Sequence, residues 1–158
     1  MHGFSVGDAV ILPTQGVAEV VDITPLQRPR GGLSYHLRCP GGRQLQLPVA
    51  HAEILGVRWP VTAAVAHSLL AQLSQPLQPV EPAGLVRHRH HLRLIEGGTL
   101  EGLATVLRAL HARVPGHTRS QGDQRLYERA LALVADEVGC VLGLDPDSAT
   151  AMVEQHLG

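Results

Sequence analysis

The residues with the most distinctive chemistry in this chain of 158 residues lie together in residues 84–98, GLVRHRHHLRLIEGG. Three histidines and three arginines fall within positions 87–93 of that segment. Histidine can ligate a metal or carry a proton near physiological pH, and arginine can bind a phosphate through two N–H groups at once. The segment is therefore a metal site, a contact surface for a nucleic-acid backbone, or a solvated helix face.

A metal site fits the spacing poorly. Structural zinc needs four convergent ligands, usually including cysteine. On a helix His88 and His91 share a face while His90 points elsewhere, and the position four residues beyond His91 is Ile95. We therefore predict no metal and no cofactor.

Charge runs are usually a solvated helix face, and the distribution of charge along the chain leaves a contact with a nucleic-acid backbone open as the functional alternative. Residues 84–129 carry eight arginines against four acidic residues, a net charge of +4. Residues 130–158 carry five acidic residues and no arginine, although the whole chain sums to −1. As a helix, the segment would turn its arginines outward and bury three apolar residues: Leu85, Leu92 and either Leu94 or Ile95. Contacts to phosphate alone predict weak, salt-dependent DNA binding without base readout.

Nothing in the sequence indicates an enzyme. The remaining histidines (His2 aside) are scattered without a partner pattern: His36, His51, His67, His111, His117 and His156. The chain has no GxxxxGK[ST], GxGxxG, HExxH or GxSxG motif. We predict no catalytic residue.

The elements that must position the basic segment change character along the chain. Short apolar runs separated by Gly and Pro predict strands at 9–12, 17–23, 33–39 and 43–49, which together suggest a small antiparallel barrel. Helical patterns then follow at 61–74, 85–96, 99–114, 120–142 and 146–157, with a proline-rich link at 75–84. The order is β and then α, an α+β chain without the βαβ alternation of a parallel nucleotide-binding sheet.

Helix-start signals fix three of the predicted helices. Thr99 and Ser120 can cap the helices that follow them, and Ser120 stands at capping-box spacing from Asp123. Asp145 followed by Pro146 is a specific start signal. Because local chemistry sets these boundaries, we expect them to hold in the folded chain.

Cysteine content and hydropathy bear on location. Cys39 and Cys140 form no CxxC pair, and we interpret both as reduced thiols of a cytoplasmic protein. No stretch resembles a signal peptide or reaches the ~18–20 apolar residues of a membrane span. We expect no membrane partner.

The N-terminal half resembles a known family. Residues 4–20 fit F-x-V-G-D-x-V-I-x-P-x-x-G-V-A-x-V, which is similar to the start of the CarD-like transcription regulators and of the related domain of transcription-repair coupling factors. The matching residues there are Phe4, Val6, Gly7, Asp8, Val10, Pro13, Gly16 and Val20. Further matches follow in order as Y-x-L at 35–37, L-x-L-P-V at 45–49 and A-E-x-x-G-V-R at 52–58.

The C-terminal half resembles the same family, in L-x-x-I-E-G-G at 92–98, VLRALHAR at 106–113 and SQGDQRLYERA at 120–130. The resemblance implies a Tudor-like barrel that binds a lobe of the bacterial RNA polymerase β subunit, over residues 1–58. An exposed strand edge of that barrel could pair with a polymerase strand. It further implies a helical bundle, over residues 60–158, that meets promoter DNA near the upstream edge of the transcription bubble through the basic segment 84–129.

The sequence departs from the family pattern at three positions. Gly84 stands where the family commonly has a tryptophan that wedges into DNA, and Leu85 follows it. Gln46 replaces a basic residue before the last strand ends, and Leu26 replaces another, with Arg28 and Arg30 nearby. Apolar wedges other than tryptophan do exist.

Two sets of candidate residues follow, in a chain expected to be monomeric. The predicted polymerase-binding residues are Arg28, Arg30, Tyr35, Arg43 and Gln46. The predicted DNA-binding residues are Leu85, Arg87, His88, Arg89, His90, Arg93 and Arg125. The alternative is a protein-interaction module that keeps the polymerase-binding half but, with Gly84, has lost the DNA wedge and acts as a competitor or a tether.

Overall fold

The structure is a computed structural model that describes residues 3–27, 31–75, 85–111 and 120–158. The chain divides into two compact units, Met1–Pro60 and Val61–Gly158. Each unit has its own apolar core. None of the described helices is both long and apolar enough to cross a membrane.

The first unit is built on a four-stranded antiparallel sheet in the order β1-β2-β3-β4. Its strands are β1 (Ala9–Leu12), β2 (Gly16–Pro25), β3 (Leu33–Arg38) and β4 (Gln44–Pro48). A single 3-10 turn links β3 to β4, and the short helix α1 (Val49–Ala52) follows β4 directly. All four predicted strands are therefore present, within two residues of their expected ends.

The sheet does not close into the predicted barrel. Within the described residues, β1 and β4 do not pair with each other. The outer edge of β1 bonds instead to the chain beyond α1: the Ile11 N–H donates to the Arg58 carbonyl at 2.7 Å, and the Arg58 N–H donates to the Ile11 carbonyl at 3.1 Å. This bridge occupies the centre of the β1 edge, so β1 has no room for β4 there.

Glycines on either side of β1 have a backbone that other residues adopt at a cost. Gly7 has φ +94° and its N–H donates to the Val20 carbonyl at 2.7 Å, which brings the chain onto β2. Gly16 has φ +99° at the start of β2, next to a turn in which Thr14 is also left-handed at φ +65°. These two conformations place a four-residue strand between two tight reversals, and its Val10 side chain is fully buried.

The second unit contains five helices within the described residues, packed around an aliphatic core. They are α2 (Ala63–Leu73), α3 (Leu85–Gly97), α4 (Leu100–His111), α5 (Gln121–Leu142) and α6 (Pro146–Leu157). The longest, α5, packs on both α4 and α6. Burial on α5 falls on Leu126, Tyr127, Ala130, Val134 and Val138, the three- and four-residue spacing of a core-facing stripe.

The predicted capping residues act as expected. The Ser120 hydroxyl accepts the Asp123 N–H at 3.1 Å, and the Thr99 hydroxyl accepts the Gly102 N–H at 3.1 Å. An Asp145 carboxylate oxygen accepts the Ser148 N–H at 2.6 Å at the start of α6. A cap that the sequence analysis missed is Thr62, whose hydroxyl accepts the Val65 N–H at the start of α2.

The Asp145 cap predicts an acid-sensitive stability. The hydrogen bond from the Ser148 backbone N–H, joined by one from the Ser148 side chain, lowers the pKa of the Asp145 carboxyl below its ordinary 3.8. A lowered pKa stabilises the fold above the unfolded value, and that stability is lost as pH falls through the folded value. Asp145→Ala should therefore lower the melting temperature by roughly 2–5 °C at pH 7.

The isosteric variant Asp145→Asn separates the charge from the hydrogen bond. Asparagine is also a good N-cap but lacks the charge that favours a helix N-terminus. In thermal unfolding followed by circular dichroism, measured from pH 7 downward, Asp145→Asn should melt below the wild type at pH 7, and the gap should narrow as pH falls through the lowered pKa of Asp145. A gap that stays constant over that range would contradict the assignment.

Candidate functional site

The candidate DNA-facing surface is α3, whose orientation differs from the predicted one. The residues turned into the second unit are Arg87, His91 and Ile95, with His88 and Leu94 half-buried beside them. Ile95 is 2% exposed and His91 only 3% exposed. The expectation that Ile95 or Leu94 faces the core is confirmed, whereas the outward placement of Arg87 is wrong.

The opposite face of α3 is apolar as well as basic. Leu85 is 64% exposed, Val86 is 59% exposed and Leu92 is 36% exposed, so the prediction that Leu85 and Leu92 are buried is wrong. Arg89, His90 and Arg93 lie exposed among them. A helix that turns apolar side chains to the solvent and polar ones inward has an outer face suited to contact with a partner.

Arg87 is held inside by an ion pair with α5. Its Nη2 lies 3.1 Å from Asp123 Oδ2, and the two side chains are only 15% and 5% exposed. The neighbouring ring of His88 lies against Gly122, also in the first turn of α5. Arg87 and His88 are therefore contacts between helices rather than the outward contacts that the sequence predicted.

The seventh predicted DNA-binding residue, Arg125, is exposed on α5, two residues beyond Asp123. Of the seven, four thus lie exposed on α3 (Leu85, Arg89, His90 and Arg93) and one on α5. Val86 and Leu92 belong to the same exposed face of α3 and were missed. Sequence reasoning could have found Val86 and Leu92 only by recognising that Arg87 turns inward. That inward turn becomes visible only through its ion pair with Asp123 on α5.

In the first unit, the candidate contact surface is the outer edge of β4. The Cys39 N–H donates to the Arg43 carbonyl at 2.7 Å, so the pairs Leu37–Leu45 and Tyr35–Leu47 of the same register are the bonded ones. The backbone N–H and C=O groups of Gln44 and Gln46 therefore point away from β3.

These outward groups remain open. Among the described residues, none donates to or accepts from the outward backbone groups of Gln44 or Gln46. The same alternation turns the missing N–H of Pro48 outward, so this proline costs the β3–β4 ladder no hydrogen bond. The β4 edge is thus a short open edge, whereas the opposite edge of the sheet, at β1, carries the bridge between Ile11 and Arg58.

The predicted polymerase-binding residues divide between surface and core. Arg43 and Gln46 are exposed, and an Arg43 guanidinium nitrogen donates to the side-chain oxygen of Gln15. Tyr35 is a correction: it is 3% exposed, and its hydroxyl accepts the Phe4 N–H at 3.0 Å, so it cannot form a direct contact with a partner. Arg28 and Arg30 lie outside the described residues.

The other titratable groups of the described ranges lie apart from α3 and from the β4 edge. No group of three or more His, Cys, Asp or Glu side chains there could hold a metal ion. Cys140 is exposed on α5, and its partial desolvation, with Asp136 and Glu137 nearby, raises the pKa of the thiol. Buried Glu137 accepts the Val61 N–H at 2.9 Å and so anchors the start of the second unit.

The comparisons identify the class of the protein. A family model described as CarD, C-terminal domain, matches residues 68–154, from within α2 almost to the end of α6. That match covers more than half of the chain, and the chain therefore belongs to the CarD family. It is a CarD-like, transcription-related protein. No curated protein matches the chain.

Proposed function

We propose that the chain regulates bacterial transcription by binding the RNA polymerase β subunit and contacting promoter DNA. The observation that carries the proposal is the outward face of α3, where Leu85 and Leu92 accompany Arg89 and Arg93. Basic side chains neutralise phosphates, and apolar side chains can wedge between bases at a distorted step. Membership of the CarD family supports a role in transcription.

The apolar part of this face bears on the missing tryptophan. Gly84, at the position of the family's usual wedge, lies outside the described residues. Leu85 is 64% exposed in the first turn of α3, beside Val86 at 59%. We infer that these aliphatic side chains take the place of the indole ring at the upstream edge of the bubble.

The β4 edge supports the polymerase half of the proposal. A strand of the β subunit would align along Gln44 and Gln46, whose outward backbone groups supply donors and acceptors in strand register. Exposed Arg43 at the start of this edge adds a positive charge beside the incoming strand. The contact is therefore expected to depend on backbone more than on side chains.

Two binding measurements on the full chain test the proposal. Immobilised chain should capture bacterial core RNA polymerase, and promoter DNA with a pre-melted bubble should raise the affinity of the captured complex. Free duplex DNA should bind weakly, with affinity that falls steeply as salt rises. Absence of polymerase capture would overturn the proposal.

A second candidate function is favoured by Gly84 itself. A chain that keeps the β4 edge but has lost the wedge would be a competitor or tether at the polymerase. In that case the chain captures polymerase, yet a promoter bubble adds nothing to the affinity. The same pair of measurements therefore separates the two functions.

A further inference from the structure

The three histidines of α3 lie in three different environments. His91 is 3% exposed, and His88 is half-buried with its ring against Gly122 in the first turn of α5. His90 is exposed and lies about one helical turn before Arg93, because residues three apart are neighbours on a helix surface. Of the three, His90 is therefore the one whose imidazole is open to a ligand of the outer face.

We propose that His90 is a proton-dependent phosphate contact, so that acidification strengthens the binding of α3 to DNA. Histidine is the side chain that ordinarily gains or loses its charge between pH 5 and 8. A neutral imidazole adds nothing to the positive charge of the arginines beside it, whereas an imidazolium adds one charge. The inference rests on the proposed function, because it concerns the regulation of the same DNA contact.

The charges on α3 itself link the proton on His90 to a bound phosphate. Arg89 and Arg93 are exposed near His90, and the acid of this helix, Glu96, lies more than one turn further along. While no anion is bound, these like charges oppose a proton on His90, and a phosphate drawn to Arg93 favours it. Because such linkage is reciprocal, the imidazolium favours phosphate by as much as phosphate favours the imidazolium.

The helices packed on α3 leave His90 to that ligand. Asp123 is the acid that α5 places against α3, and it is bonded to Arg87 at 3.1 Å. The charged or titratable side chains of α4 lie in its first and last turns: Glu101, Arg108 and His111. Within the described residues, none of these groups forms a hydrogen bond or an ion pair with His90.

Binding of the full chain to a fluorescent DNA duplex, followed by anisotropy across a salt series at pH 6 and at pH 7.5, tests the inference. At low salt the wild type should bind about fivefold more tightly at pH 6, the lower end of the usual coupling between two ligands. The slope of log K against log salt should be steeper at pH 6 by up to about 0.9, the contribution of one phosphate contact. Equal affinity and equal slope at the two pH values would overturn the inference.

Two substitutions fix the charge at position 90. His90→Gln is neutral and His90→Arg is positive at both pH values, so neither variant should respond to pH as the wild type does. The glutamine variant should keep the shallower slope, and the arginine variant should keep the steeper one. Because position 90 is exposed, both should melt close to the wild type. A response of wild-type size in His90→Gln would overturn the inference.

His88→Gln is the matched control, because it removes a histidine two positions away whose ring lies against α5. It should keep the full pH response, and an equal loss in both glutamine variants would overturn a contact specific to His90. Capture of core RNA polymerase decides the proposed function separately. A chain that captures polymerase without a pH response loses only this inference, and a chain with the response but without capture loses only the proposed function. Absence of duplex binding even at pH 6 and low salt overturns the DNA contact and this inference together.

Discussion

Gln46→Pro should reduce capture of core RNA polymerase by roughly tenfold or more while leaving the first unit folded. The outward N–H of Gln46 is one of the two open donors on the β4 edge, and proline removes it and adds a ring in the path of an incoming strand. One lost hydrogen bond contributes about 1 kcal/mol, and a clash at the edge adds to that. A tenfold change in affinity corresponds to about 1.4 kcal/mol.

The fold should tolerate this proline because the Gln46 N–H is not used in the ladder with β3. Pro48, two residues along, already occupies an equivalent outward position in the same strand. Proline is accepted on edge strands where its nitrogen faces the solvent. Circular dichroism and the melting temperature of Gln46→Pro should therefore stay close to those of the wild type.

Gln46→Ala is the matched control, because it removes the side chain and keeps the backbone donor. We expect capture by Gln46→Ala to remain within about twofold of the wild type. If alanine weakens capture as much as proline does, the side chain of Gln46 makes the contact and pairing along the β4 edge is excluded. If neither Gln46→Ala nor Gln46→Pro weakens capture, polymerase is bound elsewhere on the chain.

The elements of the fold are largely local, and local signals in the sequence predicted them. Ser120 and Asp145 each satisfy an N–H three residues ahead, so α5 and α6 begin where those residues indicate. The strand ends follow turn residues in the same way. Such boundaries depend on a few neighbouring residues, which is why they could be predicted.

Closure of the first unit was not predictable by the same means. The bridge between Ile11 and Arg58 joins residues that are far apart in sequence and carry no side-chain pattern that marks the pairing. Alternation in residues 33–49 predicts strands but does not determine which edges meet. The burial of Tyr35 likewise depends on Phe4, which lies 31 residues earlier in the chain.

The orientation of α3, which carries the candidate DNA surface, also could not be predicted from its own sequence pattern. The pattern of α3 allows two amphipathic settings, one with leucines inward and one with Arg87 and His91 inward. Hydrophobicity alone does not decide between them, because the first also turns Arg89 and Glu96 inward, and the structure adopts the second. The inward Arg87 meets Asp123, 36 positions away on another helix, and a helical wheel of α3 does not contain that partner.

The second large effect is expected when the arginines of the outer face are removed. Arg89→Gln with Arg93→Gln should lower the slope of log K against log salt for promoter DNA by about 1.8, because each phosphate contact contributes about 0.9. Affinity at low salt should fall most, and fluorescence anisotropy across a salt series measures both quantities. Both side chains are exposed, so stability should be unchanged.

The apolar residues of that face should behave differently from its arginines. Leu85→Ala with Leu92→Ala removes the aliphatic contact but no charge, so the salt slope on duplex DNA should stay at the wild-type value. The preference for DNA with a pre-melted bubble, measured in complex with polymerase, should fall severalfold if these residues wedge at the bubble edge. Measurements on duplex DNA and on DNA with a pre-melted bubble thus separate the contribution of the arginine charges from that of the apolar wedge.

Arg129→Gln is the charge control for this series, since Arg129 is exposed on α5 and outside the face defined on α3. Its salt slope should match the wild type. An equal loss of slope in this control would mean that DNA responds to the total charge of the second unit rather than to α3. A different result is a normal slope in Arg129→Gln together with an unchanged bubble preference in the leucine variant. In that case α3 contacts only phosphates, and this chain has lost the wedge at the promoter, as Gly84 alone suggests.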